Sequence, residues 1–228
     1  MSTTSPLRWL GIGLVALGAA VSGVYIREQL ISSPQDKAAT AALKTLDPST
    51  ATPAANPGAI PTVLPDFTLH DLQGKARPIR SWVGHPLMLN FWASWCAPCR
   101  REIPLLNQLQ AEPPVKDLKI VGIAVDFVDD VKAFMDKMPI RYDVLTGEQD
   151  GLDAANALGV QAVAFPFTVF LDHQGQILSL HMGELHENQA RATLNVLSRL
   201  EGGQINLPQA RMELKAALAA LDPTPSAT

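Results

Sequence analysis

The chain has two cysteines, and they stand together in Trp95-Cys96-Ala97-Pro98-Cys99. The segment before them, Leu87-Met88-Leu89-Asn90-Phe91-Trp92, is nearly continuously apolar, as expected of a strand covered on both faces. The segment after them, Cys96 to Leu109, reads as a helix with Leu105, Leu106 and Leu109 on one side. Two thiols with two residues between them at such a junction can close a small disulfide. Unpaired N–H groups and the positive end of the helix dipole favour the first sulfur as an anion. Cys96 is therefore expected to attack as thiolate, and Cys99, one turn further in and shielded, to resolve the mixed disulfide. Pro98 suits the first turn, where its missing N–H would have lacked a partner, and Ala97-Pro98 between the sulfurs tunes the potential.

Two other uses of the pair stay open. A disulfide across so short a loop constrains little of the unfolded chain, so it makes a poor structural staple. Half a zinc site is the second alternative, since His70, His85, His173, His181 and His186 offer nitrogen ligands. Among them only His181 and His186 have H-x3-5-H spacing, and they form no compact set with the cysteines. No metal and no cofactor is expected.

At 228 residues the chain can bury one ordinary core with tails to spare. A formal net charge of -4 provides no broad basic face, so nucleic acid is not an expected partner. Trp9 to Ile26 runs without a charge, and roughly 20 such residues suffice to cross a bilayer. Arg8 before it and Arg27-Glu28 after it orient it weakly, while the short N-terminal arm favours N-in, C-out. A cleaved signal peptide is the alternative, with small residues at Ala19, Ala20, Ser22 and Gly23. The length of the apolar run favours an uncleaved anchor over residues 1–27. Either outcome exports the domain. Residues 28–60 are an Ala/Thr/Pro-rich linker with prolines at Pro48, Pro53 and Pro57, read as a semi-rigid tether.

Residues 61–203 alternate strand-like and helix-like segments. After Phe67 to His70 and Leu87 to Trp92 come a buried strand at Lys119 to Val125 and a helix at Asp129 to Met138. A short extended piece at Tyr142 to Leu145 and a helix at Leu152 to Leu158 follow. Phe167 to Leu171 pairs with Gln176 to His181 through the turn Asp172-His173-Gln174-Gly175, and Glu187 to Leu200 closes as a helix. This order predicts an α/β fold, a mixed central β-sheet flanked by helices. Residues 204–228 read as a helix and tail, and the apolar residues at helical spacing over Leu207 to Leu221, Ala210, Met212, Leu214, Ala217, Leu218 and Leu221, predict docking on the domain.

On the block Leu89-Asn90-Phe91-Trp92-Ala93-Ser94-Trp95-Cys96-Ala97-Pro98-Cys99-Arg100-Arg101-Glu102-Ile103-Pro104 and the block Phe165-Pro166-Phe167-Thr168-Val169-Phe170-Leu171-Asp172, the chain resembles the thioredoxin superfamily. Within it the chain resembles the membrane-tethered TlpA/ResA/CcmG group of thiol-disulfide oxidoreductases, over roughly residues 61–200. The resemblance implies a thioredoxin-like fold carried by an N-terminal transmembrane helix, with Phe165-Pro166 as the cis-proline loop facing the cysteines. There the backbone of Phe165 would pair with extended substrate, and Trp95, Ala97, Pro98, Phe165 and Pro166 would line its site. Thioredoxins hold a carboxylic acid where this chain has Asn90. The resemblance points instead to Glu102, on about the same helix face as Cys99, as the group that handles the inner proton; an ordinary solvated helix residue is the plainer alternative. Arg100 and Arg101 read as surface charges, Pro104 as a kink within the helix, and Trp92 and Trp95 as packing and rim aromatics.

The implied activity is reduction of disulfides in selected exported client proteins, of the cytochrome c maturation or copper-site assembly type. A membrane electron donor of the thiol-transfer type would re-reduce the enzyme. The implied location is the inner (cytoplasmic) membrane, single-pass, with the domain on the periplasmic or extracytoplasmic side; a monomer is expected. A dithiol oxidant and a thiolate metal chaperone remain as alternatives. Peroxidase chemistry is not expected, because it usually demands a differently placed cysteine.

Overall fold

The computed structural model of the chain describes residues 60–161 and 164–221. The anchor and nearly all of the linker expected from the sequence lie outside the described residues. Among the described residues no helix is long and apolar enough to cross a membrane.

The strands are β1 (Thr68–Asp71), β2 (Ala76–Pro78), β3 (Leu87–Trp92), β4 (Lys119–Ala124), β5 (Asp143–Thr146), β6 (Phe167–Leu171) and β7 (Ile177–Met182). The helices are α1 (Ala97–Ala111), α2 (Val128–Met135), α3 (Gln149–Ala157), α4 (Glu187–Glu201) and α5 (Leu207–Leu221). The strands form one seven-stranded sheet in the order β2-β1-β5-β4-β3-β6-β7. β3 runs parallel to β4 and antiparallel to β6, so the sheet is mixed, as expected.

Every residue of β3 and β6 is buried, the outcome expected for apolar strands with both faces covered. Along β3 the side chains alternate. Met88 and Trp92 join a core with α1, α4 and α5, while Leu87, Leu89 and Phe91 join a second core with α3 and the 3-10 turn Ile79–Trp82. Phe91 and Phe167, opposite each other in the β3/β6 register, stack with ring centroids 4.4 Å apart. Gly122, opposite Asn90 on β4, leaves room for its neighbours: a Cβ there would lie 2.9 Å from the Tyr142 ring and 3.0 Å from the Trp92 indole nitrogen.

Some boundaries differ from the sequence reading. The α2 helix ends at Met135, one turn before the expected Met138. β2 and the 3-10 turn were not anticipated, because three residues pairing at a sheet edge carry almost no periodicity. Pro104 lies inside α1, which continues to Ala111.

The α5 helix docks on its own domain, as the sequence predicts. Asn206 and Gln209 cap its start reciprocally, Gln209 N–H donating to Asn206 Oδ1 at 3.0 Å and Asn206 N–H to Gln209 Oε1 at 3.1 Å. Ala210 and Leu214 bury against the α1/α4 side, and Arg211 Nε donates to the Ile177 carbonyl at 3.2 Å on edge strand β7. Met212, counted with the apolar face in the sequence, points outward at 70 % exposure. Leu214→Ala should therefore destabilise the domain by roughly 2 to 4 kcal/mol, whereas Met212→Ala should cost under about 0.5 kcal/mol. Urea unfolding of the two variants checks this; equal costs would mean that α5 does not contribute to the core.

Candidate active site

The two cysteines sit where β3 gives way to α1. Cys96 is the N-cap of α1 and its Sγ accepts the Cys99 N–H at 3.3 Å, so the sulfur occupies the position of an oxygen in an ordinary N-cap. Ala97 and Pro98 form the first turn, and Cys96 and Cys99 are joined in a disulfide. Cys99 is completely buried, and Cys96 keeps 5 % of its surface exposed. Of the pair, Cys96 alone faces solvent.

Loops from three neighbouring elements surround Cys96. Trp95 is 68 % exposed, and its ring stands edge-on to Phe165 at 6.1 Å. The Phe165–Pro166 bond is cis, the geometry the resemblance implies, and Pro166 is buried. Among the described residues Phe165 N–H and C=O have no backbone partner, whereas the Pro166 carbonyl accepts Gly183 N–H at 2.9 Å. On the other side, Asp126 Oδ2 accepts both Ser94 N–H at 3.0 Å and Ser94 Oγ–H at 2.6 Å, tying the Cys96 loop to the end of β4. The sequence reading did not single out Asp126 or Ser94. The parallel pairing of β3 with β4 brings them together, and neither residue signals it alone.

Glu102 lies one turn beyond Cys99 on α1 and is only 2 % exposed, so it is not the solvated helix residue of the plainer alternative. Its Oε1 accepts Asn90 Nδ2–H at 2.8 Å and its Oε2 accepts Leu185 N–H at 2.8 Å. Asn90 Nδ2 also donates to Thr168 Oγ1 at 3.1 Å, and Asn90 Oδ1 has no hydrogen-bond partner among the described residues. The amide thus donates to a carboxylate as it stands, and turned over it would present an acceptor to a carboxylic acid. Burial pushes the Glu102 carboxyl up to about 7, opposed by the two N–H donors and aided by the charge of Glu184. Tyr142, whose buried hydroxyl has no hydrogen-bond partner among the described residues, is pushed up by burial and then by the charge of Glu102.

Residues 60–179 match the AhpC/TSA family. The thioredoxin-like protein YneN of Bacillus subtilis is 30 % identical over 138 residues, covering 58 % of this chain and 76 % of that one. The chain belongs to the AhpC/TSA family. This family member is also similar to the thiol-disulfide oxidoreductase ResA of Halalkalibacterium halodurans, 26 % identical over 133 residues that cover 58 % of this chain and 73 % of that one. Its fold matches the solution structure of a thiol:disulfide interchange protein from a Bacteroides species. That match has a TM-score of 0.52 and 22 % identity, and covers 64 % of this chain and 91 % of that one. The chain is a thioredoxin-like thiol-disulfide oxidoreductase.

The raised Glu102 carboxyl has a measurable consequence. In the unfolded chain it ionises near 4.5 and in the folded chain near 7, so between those values the unfolded state holds fewer protons. Stability of the disulfide form should therefore fall as pH rises from about 5 to about 7, by roughly 3 kcal/mol in total, and level off above. The Glu102→Gln variant should lose that slope in denaturant titrations at stepped pH; an unchanged slope would assign it to other groups.

Proposed function

We propose that this oxidoreductase is an exported, membrane-tethered reductase of disulfides in selected client proteins. The observation that carries the reading is the pairing of an N-capping Cys96, which keeps 5 % of its surface exposed, with a fully buried Cys99 one turn from a buried carboxylate. The Cys96 thiolate attacks one sulfur of a client disulfide, and the other client sulfur leaves as a thiolate. The Glu102 carboxylate, poised near neutrality, takes the proton from the Cys99 thiol. The Cys99 thiolate then attacks Cys96 Sγ, the second client sulfur leaves, and the protein is left with its Cys96–Cys99 disulfide. Two electrons pass to the client, and a dithiol donor in the membrane returns them.

Substrate engagement is proposed at the backbone of Phe165, which has no backbone partner among the described residues. An extended client segment adds to it as a short strand, which brings the client sulfur to Cys96 between Trp95 and Phe165, against the Ala97-Pro98 turn and Pro166. Residues 1–27 are proposed as a single-pass anchor in the inner (cytoplasmic) membrane and 28–60 as the tether. They place the domain, residues 61–203 with the C-terminal helix and tail at 204–228, on the periplasmic or extracytoplasmic side. The clients are of the cytochrome c maturation or copper-site assembly type, and the protein acts as a monomer.

Trapping tests this reading. Cys99→Ala should accumulate mixed disulfides with client proteins, released by reductant, while Cys96→Ala should capture none and lose more than about 100-fold in disulfide reduction. The absence of covalent adducts with Cys99→Ala would overturn it. A reduction potential for the pair as high as those of dithiol oxidants, about -120 mV, would reverse the direction of electron flow.

A further inference from the structure

Beyond the cysteines, the turn between β7 and α4 is held at successive residues. Gly183 N–H donates to the Pro166 carbonyl at 2.9 Å. Arg101 Nε reaches the Glu184 carboxylate at 3.1 and 2.9 Å, and Arg101 Nη2 adds a further bond to the same group. Leu185, itself 2 % exposed in the core, donates its N–H to Glu102 Oε2 at 2.8 Å. His181 Nε2 lies 3.2 Å from the Glu184 carbonyl, on the same turn. Two adjacent residues of α1, Arg101 outside and Glu102 inside, thus grip two adjacent residues of the turn.

We propose that Arg101 and Glu184 are positioning residues that act through Glu102. Their ion pair holds the Gly183-Glu184-Leu185 turn against α1 so that Leu185 N–H stays on the buried carboxylate. Gly183 has φ of +89°, and a Cβ built there would meet nothing within 4 Å, so no side-chain packing holds the turn at that residue. The Arg101 side chain is 61 % exposed and Glu184 18 %, so the pair lies at the surface, but it is made through more than one N–H, the geometry in which a surface ion pair can hold a loop. Loosening the turn withdraws one of only two N–H groups that favour the ionised form of Glu102.

The charged and titratable groups around Glu102 make the test decisive. They are Cys99 on its own helix, Glu184 and its partner Arg101, Tyr142 ahead of β5, and His186, whose charge acts on Glu184. If Glu184 acted on Glu102 only as a nearby negative charge, deleting it would lower the carboxyl. If it acts as a strap, deleting it raises the carboxyl.

The experiment is a 13C titration of the Glu102 carboxyl in the full-length disulfide form, where neither sulfur titrates, with Leu185 amide exchange followed in parallel. Arg101→Ala and Glu184→Ala should each move the carboxyl upward from about 7. The expected size is roughly half a pH unit, a threefold change in the acid-to-carboxylate ratio. Both should speed Leu185 exchange at least about threefold. The charge-swapped double variant Arg101→Glu/Glu184→Arg should restore Leu185 protection to within about twofold of the parent. A downward or absent shift in Glu184→Ala, unchanged Leu185 exchange, or no restoration in the double variant would overturn the proposal. The effect of the strap on turnover rests on the proton-acceptor role proposed above. The titration does not, so failure of client trapping and failure of the strap are separate results.

Discussion

A carboxylate buried one helical turn beyond the disulfide is the constraint on which the site is built. Taking an ion out of water costs several kcal/mol unless its oxygens are hydrogen-bonded. Glu102 meets that demand with one donor per oxygen, Asn90 Nδ2 from β3 and Leu185 N–H from the turn before α4. Compensation is incomplete, and the carboxyl rises to about 7. A fully solvated carboxylate would stay ionised throughout the physiological range, and one buried without donors would stay protonated. The intermediate arrangement lets the group change state near neutrality.

Asn90 explains why one carboxylate suffices. A second acid at that position would put two like charges in one buried pocket, where both cannot ionise together. An amide instead donates to Glu102 and to Thr168 of β6 at once, and its free Oδ1 offers the complementary role to a protonated partner. The sheet sets this up. Asn90 pairs with Thr168 in the β3/β6 register, and period-two alternation sends it to the same face as Trp92 and the α1 helix.

Much of this was legible in the sequence because it rests on local signals. The cysteine spacing, the apolar run of β3 and the helix after it are short-range features, and they located Cys96, Cys99 and the face of Glu102. The docking of α5 followed from apolar spacing, though Met212 was wrongly counted with the buried face, since spacing cannot separate the rim of a stripe from its centre. The partners of Glu102 and Ser94 were not legible. Leu185 contributes a backbone N–H, which carries no side-chain signal, and lies far along the chain from Glu102. Asp126 meets Ser94 only because β3 and β4 run parallel, and parallel register is specified by both strands together.

The turn from Gly183 to Leu185 joins the two halves of the proposed chemistry. Its first residue bonds the carbonyl of Pro166, beside the Phe165 backbone where a client strand would add; its last bonds the carboxylate proposed to take the Cys99 proton. Three consecutive residues thus connect the cis-proline loop to Glu102 by a route separate from the disulfide. On the proposed mechanism, client contact and proton acceptance meet at this one turn, which the Arg101–Glu184 pair fastens to α1.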